Sequence, residues 1–175
     1  MIICTGMDNT GKTTLCNKLK IHYGLELKKS PGPISYPEQK EWMMEQALNS
    51  LVSNEEVIYD RFSFMEEMVY GTVLRNGTLF DFNSEVVKAV AATRPQIIYT
   101  RPPRKKIFNF GDREQMKGVV DQKEELLNAY DELIFNMISK GWLVHVYDYT
   151  EPAALEKLME KINMTLLLKT KLGGI

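Results

Sequence analysis

Cysteine and histidine are scarce in this sequence. Two of each occur in 175 residues, and Cys4 and Cys16 have neither a Cys-x-x-Cys spacing nor a histidine partner pattern. That excludes a disulfide framework and a Cys/His metal site, and both thiols read as core residues in a reducing compartment. No apolar run approaches the roughly 20 residues that span a bilayer. The first residues already read as strand, without a charged leader, so neither a signal peptide nor a membrane span is expected and the cytoplasm is the expected location. An excess of one charge is missing too: 22 Lys and Arg against 23 Asp and Glu leave a formal net charge of -1. A protein whose main task is to coat nucleic acid would be more basic. Repeats and low-complexity runs are absent.

What is present is enough apolar residue, 44% of the chain, to bury a core for one domain over residues 1–175. Immediately after the apolar run Met1 to Cys4 comes "GMDNTGKTTL", which fits G-x-x-x-x-G-K-[ST] with Gly6, Gly11, Lys12 and Thr13. Glycines let the backbone adopt positive φ and turn successive amide hydrogens toward phosphate oxygens, and the helix that follows adds the positive end of its dipole. Lys12 is expected to reach the terminal phosphates and the Thr13 hydroxyl to ligate Mg²⁺. Gly6, Asn9, Thr10, Gly11, Lys12, Thr13 and Thr14 are therefore the candidate ATP-binding residues.

Periodicity places the rest. "KTTLCNKLKIHYG" reads as a helix stopped by Gly24, and "LELKKS" as a strand. "PGPISYP" reads as a loop near a ligand and "EQKEWMMEQALNS" as an amphipathic helix. "EEVIYD" is a buried strand ending in Asp60, followed by one helix over "RFSFMEEMVYGTVLRNG" that Asn76-Gly77 ends. "SEVVKAVAATR" is helical with Ser84 as N-cap, and Pro95 introduces the strand "QIIYT". "RPPRKKIFNFGDR" is basic and broken by proline, and reads as a mobile flap over about 101–113. It precedes a long helix beginning at "EQMKG", then the strand "WLVHVYDY" and a last helix that the tail can extend. Alternating strands and helices imply a parallel sheet covered on both faces, with ligands beyond the carboxyl ends of the strands. That edge brings Asp60 near Thr13, as a second holder of the metal or as an N-cap carboxylate.

"MIICTGMDNTGKTTL", "SYPEQ", "YDRFSFMEEMVYG" and "GDREQMKG", in this order, resemble the thymidylate kinase branch of the P-loop nucleoside monophosphate kinases. The resemblance covers most of the chain. It implies a five-stranded parallel sheet flanked by helices, the P-loop NTPase fold with a lid segment, and ATP- and Mg²⁺-dependent phosphorylation of a deoxynucleoside monophosphate. It assigns the acceptor pocket to Asp8, Tyr36, Glu38, Arg61, Phe64 and Tyr70, with Arg61 gripping the acceptor phosphate, Asp8 meeting the deoxyribose 3′-hydroxyl, and Lys40 or Arg75 taking over phosphate binding where the family's second arginine is missing. Asn9 stands where some members carry a catalytic arginine, so the lid must supply that charge, from Arg113 first and Arg104 second. Together with Lys12, Asp8 and Arg61 these complete the expected catalytic set.

The sequence departs from the family pattern at Gln39, where an arginine is usual, at Met65, where serine is usual, and at Val69 and Tyr70, which replace a polar pair. The acceptor base is accordingly open among dTMP, dUMP and a 5-modified dUMP, and a viral source handling an atypical nucleotide would fit. Two other readings stand beside this one. A deoxynucleoside kinase would use Glu38 as base toward a sugar hydroxyl, and a P-loop ATPase or switch would need a water-positioning residue that does not stand out. Small-molecule nucleotides are the expected partners, with a homodimer left open and no nucleic acid or membrane.

Overall fold

The computed structural model describes residues 1–29, 38–52, 56–109 and 117–171. Five strands, β1 (Ile2–Thr5), β2 (Glu26–Lys29), β3 (Val57–Asp60), β4 (Gln96–Thr100) and β5 (Leu143–Tyr147), form one sheet in the order β2-β3-β1-β4-β5. Every neighbouring pair is parallel. The three central strands are buried along their whole length and the two edge strands only in part. This is why "IICT", "VIYD" and "QIIYT" read as unbroken apolar runs while "ELKK" does not.

Side chains alternate between two cores. Ile3, Tyr59, Ile97 and Tyr99 face one way, Ile2, Cys4, Ile58 and Ile98 the other. The first core is closed by α2 (Glu38–Val52), α3 (Ser63–Glu66), α5 (Glu85–Ala92) and α7 (Lys123–Ser139), the second by α1 (Lys12–Tyr23) and α8 (Ala154–Lys171). Gly24 ends α1 as expected, at φ 69 with its N–H on the Lys20 carbonyl at 2.9 Å.

Three local expectations change. The helix after Asp60 is not continuous: α3 gives way to a π-helical turn, Glu67–Gly71, before α4 (Thr72–Arg75). Glu67, at the start of this turn, is buried and accepts a hydrogen bond from Leu79 N at 3.2 Å while pairing with Arg75. Gly71 is packed so closely that a Cβ there would stand 2.7 Å from both Glu67 Oε1 and the Gly77 carbonyl. Ser84 does precede α5, but its hydroxyl makes no capping bond. The long helix starts at Lys123, preceded by a turn over 117–122 with Gly118 at φ 87, and residues 114–116 of the expected start lie outside the described residues. Between β4 and α7 the "RPPRKKIFN" stretch contains a short helix, α6 (Arg104–Ile107), and its continuation over 110–116 lies outside the described residues.

The two glycines make a test of this packing. Gly71→Ala should destabilise the protein by about 1–3 kcal/mol through overpacking. Gly24→Ala meets nothing within 4 Å, and should lose only the roughly 1 kcal/mol of a left-handed backbone. Denaturant midpoints that rank the two the other way would show that the π-helical turn relaxes freely.

Candidate nucleotide-binding site

The register of the central strands builds the site. Cys4 pairs with Asp60 and Thr5 with Tyr99, so β1, β3 and β4 end together and the loop from Gly6 to Gly11 springs from the middle of that edge. Gly6 takes φ 133, and a Cβ would stand 2.7 Å from the Thr100 carbonyl oxygen. No other residue fits there. The Thr10 and Thr100 hydroxyls lie 2.6 Å apart, and Thr10 Oγ1 also donates to the Met7 carbonyl at 2.8 Å. Gly11, at φ 83, opens α1 beneath the ring of Tyr149.

Lys12 is buried, and its ammonium donates to the carbonyls of Gly6 at 2.5 Å and Met7 at 2.6 Å. Burial, helped by the nearby Arg61 charge, lowers its pKa from the usual 10.5 to about 8. Thr13 Oγ1 donates to Asp60 Oδ2 at 2.7 Å, while Asp60 Oδ1 is buried without a hydrogen-bond partner. An orphaned carboxylate oxygen beside a threonine hydroxyl suits a hard divalent cation that takes its remaining ligands from phosphates and water. The described residues bring together no cluster of three or more His, Cys, Asp or Glu for a protein-only metal cage. A cavity of about 740 Å³ runs from the loop, over Thr13, Thr14 and Lys18, to Tyr149 and Ala154 beyond β5. That volume suits a nucleotide-sized ligand.

Beside the loop lies a charged cluster that the sequence shows only in part. Arg61 leaves β3 at φ 75 with its N–H on the Cys4 carbonyl at 3.0 Å, which aims its guanidinium across the strand ends. It pairs with Asp8 on one side and with Glu66 at 2.8 Å on the other. Tyr130 Oη donates to Glu66 Oε2 at 2.8 Å, Thr5 Oγ1 reaches Glu66 Oε1 at 3.3 Å, and Tyr70 Oη reaches Asp8 at 3.5 Å. Burial pushes the Asp8 carboxyl upward, but Arg61 and Lys12 outweigh it and hold the group below the usual carboxylate range. For Arg61, burial opposes the charge, and Glu66 and Asp8 more than restore it.

Other expected site residues are elsewhere. Phe64 is fully buried in the core against Phe62, Phe80 and Trp142, because α3 turns it inward, and it does not line the cavity beside the loop. Arg75 pairs with Glu67, so the cation expected at the acceptor phosphate is held by the π-helical turn. Arg104 points to α7, pairing with Glu124 at 2.9 Å. Asn9 belongs to the loop, but its side chain leaves it for the carbonyls of residues 106, 107 and 109. Tyr36, Arg113 and the side chain of Glu38 lie outside the described residues. Glu66 and Tyr130 were missed: Glu66 is one acid among several in its segment, and Tyr130 comes from α7, far along the chain.

No protein-family model and no curated protein sequence matches this chain. Solved structures do. YorR from Bacillus subtilis, in complex with phosphorylated GDP, superposes with a TM-score of 0.70 at 19% identity, over 97% of each chain. Deoxyadenosine kinase from M. mycoides, with the products dCMP and dCDP, gives 0.66 at 18% identity over 94% of this chain and 98% of that one. The same enzyme with dCTP gives 0.65 at 20% identity, over 94% and 100%. This chain shares the fold of these structures, a five-stranded all-parallel sheet flanked by helices. The likeness runs over nearly the whole length of each chain.

The buried ammonium of Lys12 yields a test in the nucleotide-free protein. Its folded pKa, about 8, lies below the 10.5 of a free lysine. The unfolded chain therefore binds more protons in that window, and stability rises with pH between those values. Below pH 8 the buried charge opposes folding in full. Lys12→Met should thus raise the thermal midpoint at pH 7, by about 2–4 °C for each kcal/mol relieved. ATP binding should weaken by about a hundredfold or more as a charge-assisted contact is lost. A lower midpoint, or unchanged ATP binding in calorimetry, would refute this account of Lys12.

Proposed function

We propose that this protein transfers the γ-phosphoryl group of ATP to a deoxynucleoside monophosphate, of the dTMP, dUMP or 5-modified dUMP class, giving ADP and the deoxynucleoside diphosphate. The observation that carries this reading is the position of Arg61, a guanidinium fixed beyond β3 beside both the phosphate loop and Asp8. Transfer between two polyanions needs positive charge on both, and in-line alignment of the attacking and leaving oxygens. Lys12 supplies charge on the donor side by exchanging the Gly6 and Met7 carbonyls for phosphate oxygens. The amides from Asn9 to Thr14 hold the donor, and Thr13 with Asp60 would hold Mg²⁺, whose charge offsets that of the phosphates when bound. Arg61 grips the acceptor phosphate by releasing one carboxylate, and Asp8, once released, faces the deoxyribose 3′-hydroxyl. Arg113, in the lid over about 101–113, supplies further charge to the transferring group.

A second reading, a deoxynucleoside kinase acting on a sugar hydroxyl, has a specific observation behind it. Arg61 already faces two carboxylates, and Arg75 is bound to Glu67. A neutral hydroxyl needs a carboxylate base and little added positive charge. Likeness to a deoxyadenosine kinase supports the same direction.

The two readings separate in one assay, with labelled ATP offered to water, to deoxynucleosides and to deoxynucleoside monophosphates. Label is expected in diphosphates, at a rate at least about a hundredfold above hydrolysis. Arg61→Ala should lower that transfer by about 10²–10³, with hydrolysis reduced less than about tenfold. Label in monophosphates made from nucleosides would hand the assignment to the second reading. Label released only to water would end both.

A further inference from the structure

One side chain of the phosphate loop has no part in the chemistry above. Asn9 sits at φ 65, a left-handed conformation that asparagine accepts more readily than most residues. Its carboxamide turns out of the loop and meets the chain beyond β4. Nδ2 donates to the carbonyls of Asn109 at 2.7 Å, Lys106 at 2.9 Å and Ile107 at 3.2 Å. These oxygens belong to the end of α6 and the residues just after it, where helix carbonyls lack intrahelical partners and carry the negative end of the dipole. The amide thus serves as a side-chain cap delivered from a hundred residues away.

The position of α6 gives this contact its interest. The helix has only four residues, too few to hold itself without tertiary support. Its root is tied to the scaffold on one side by Arg101, which grips Asp131 through Nε at 2.8 Å and Nη2 at 2.9 Å. Arg104 adds an exposed pair with Glu124, worth little by itself. Asn9 ties the other side to the phosphate loop, so the segment carrying Arg104, Lys105 and Lys106 is held from both sides.

We infer that Asn9 is a positioning residue that clamps the root of the segment after β4 onto the phosphate loop. Any cation delivered from that segment then arrives in register with phosphates held by the loop amides. This rests on the donor site assigned under the proposed function. The competing explanation is that Asn9 serves only its own backbone, as a residue tolerant of positive φ. Glycine distinguishes the two, since it accepts φ 65 and removes only the clamp.

Hydrogen exchange on the nucleotide-free protein reads the clamp without reference to activity. In Asn9→Gly the amides of residues 104–109 should exchange about tenfold faster or more, with those of β4 and α7 unchanged. Asn9→Asp, which keeps the size but points a carboxylate at the three carbonyls, should loosen the same amides and guards against a special effect of glycine. In the transfer assay Asn9→Gly should lower kcat by about tenfold, with the KM for ATP within about twofold of wild type. The fraction of ATP lost to water should rise. Unchanged exchange in both variants would overturn the inference. So would a loss confined to ATP affinity, which would make Asn9 a loop residue only. Wild-type protein that phosphorylates no acceptor would instead overturn the kinase reading, and the exchange data would then decide the clamp by themselves.

Discussion

The close approach of Thr100 to Gly6 sets the position of everything at the phosphate loop. A Cβ on residue 6 would lie 2.7 Å from the Thr100 carbonyl oxygen, and Thr100 Oγ1 reaches both the Thr10 hydroxyl and, at 3.0 Å, the Thr5 carbonyl. The loop is therefore fixed by the end of β4 as much as by its own glycines. Because β4 and β3 flank β1, the contact that seats the loop on one side is matched on the other by Thr13 and Asp60. Donor-side geometry is in this sense a property of strand register, which a buried parallel sheet specifies strongly.

The charged cluster beside the loop is built differently. Its charges are side chains with rival partners: one guanidinium shared by Asp8 and Glu66, and one of those carboxylates anchored by Tyr130. Removing a single member of a part-buried cluster leaves its partner uncompensated, which is more damaging than the net worth of the pair. An incoming anion avoids that penalty by replacing a carboxylate on Arg61. Glu66, held by a tyrosine and a threonine, is the better anchored of the two, so Asp8 is the carboxylate positioned to move. Under the proposed function, a loop fixed by strand register and an exchangeable charge cluster suit an acceptor that must enter, react and leave.

Much of this was legible in the sequence, for identifiable physical reasons. The loop motif, the strand ending at Asp60 and the Gly24 stop each depend on local backbone chemistry, and each stands where the sequence placed it. What failed depended on phase or on distance. One continuous helix is expected after Asp60, but a π-helical turn over Glu67–Gly71 interrupts it, and Arg75 pairs with the buried Glu67. Phe64 has the residue type of a base-stacking side chain, and only the packing of α3 against Phe80 and Trp142 shows that it is core. Tyr130 and Thr100 act across long separations and leave no local pattern.

Asn9 shows where the two kinds of information meet. Its type suits a left-handed turn, and a loop that only wraps phosphate could use a glycine there equally well. The amide adds the ability to donate two hydrogens, and the structure directs them to carbonyls at the end of a four-residue helix. A lysine or arginine at this position would contribute charge to the phosphates directly, yet could not satisfy those carbonyls from the same backbone without drawing its charge away from the ligand. On the proposed reading, a neutral amide here leaves any further cation to be supplied by the segment it holds. The inferred clamp would thus join the loop to residues 106–109, about a hundred positions further along the chain.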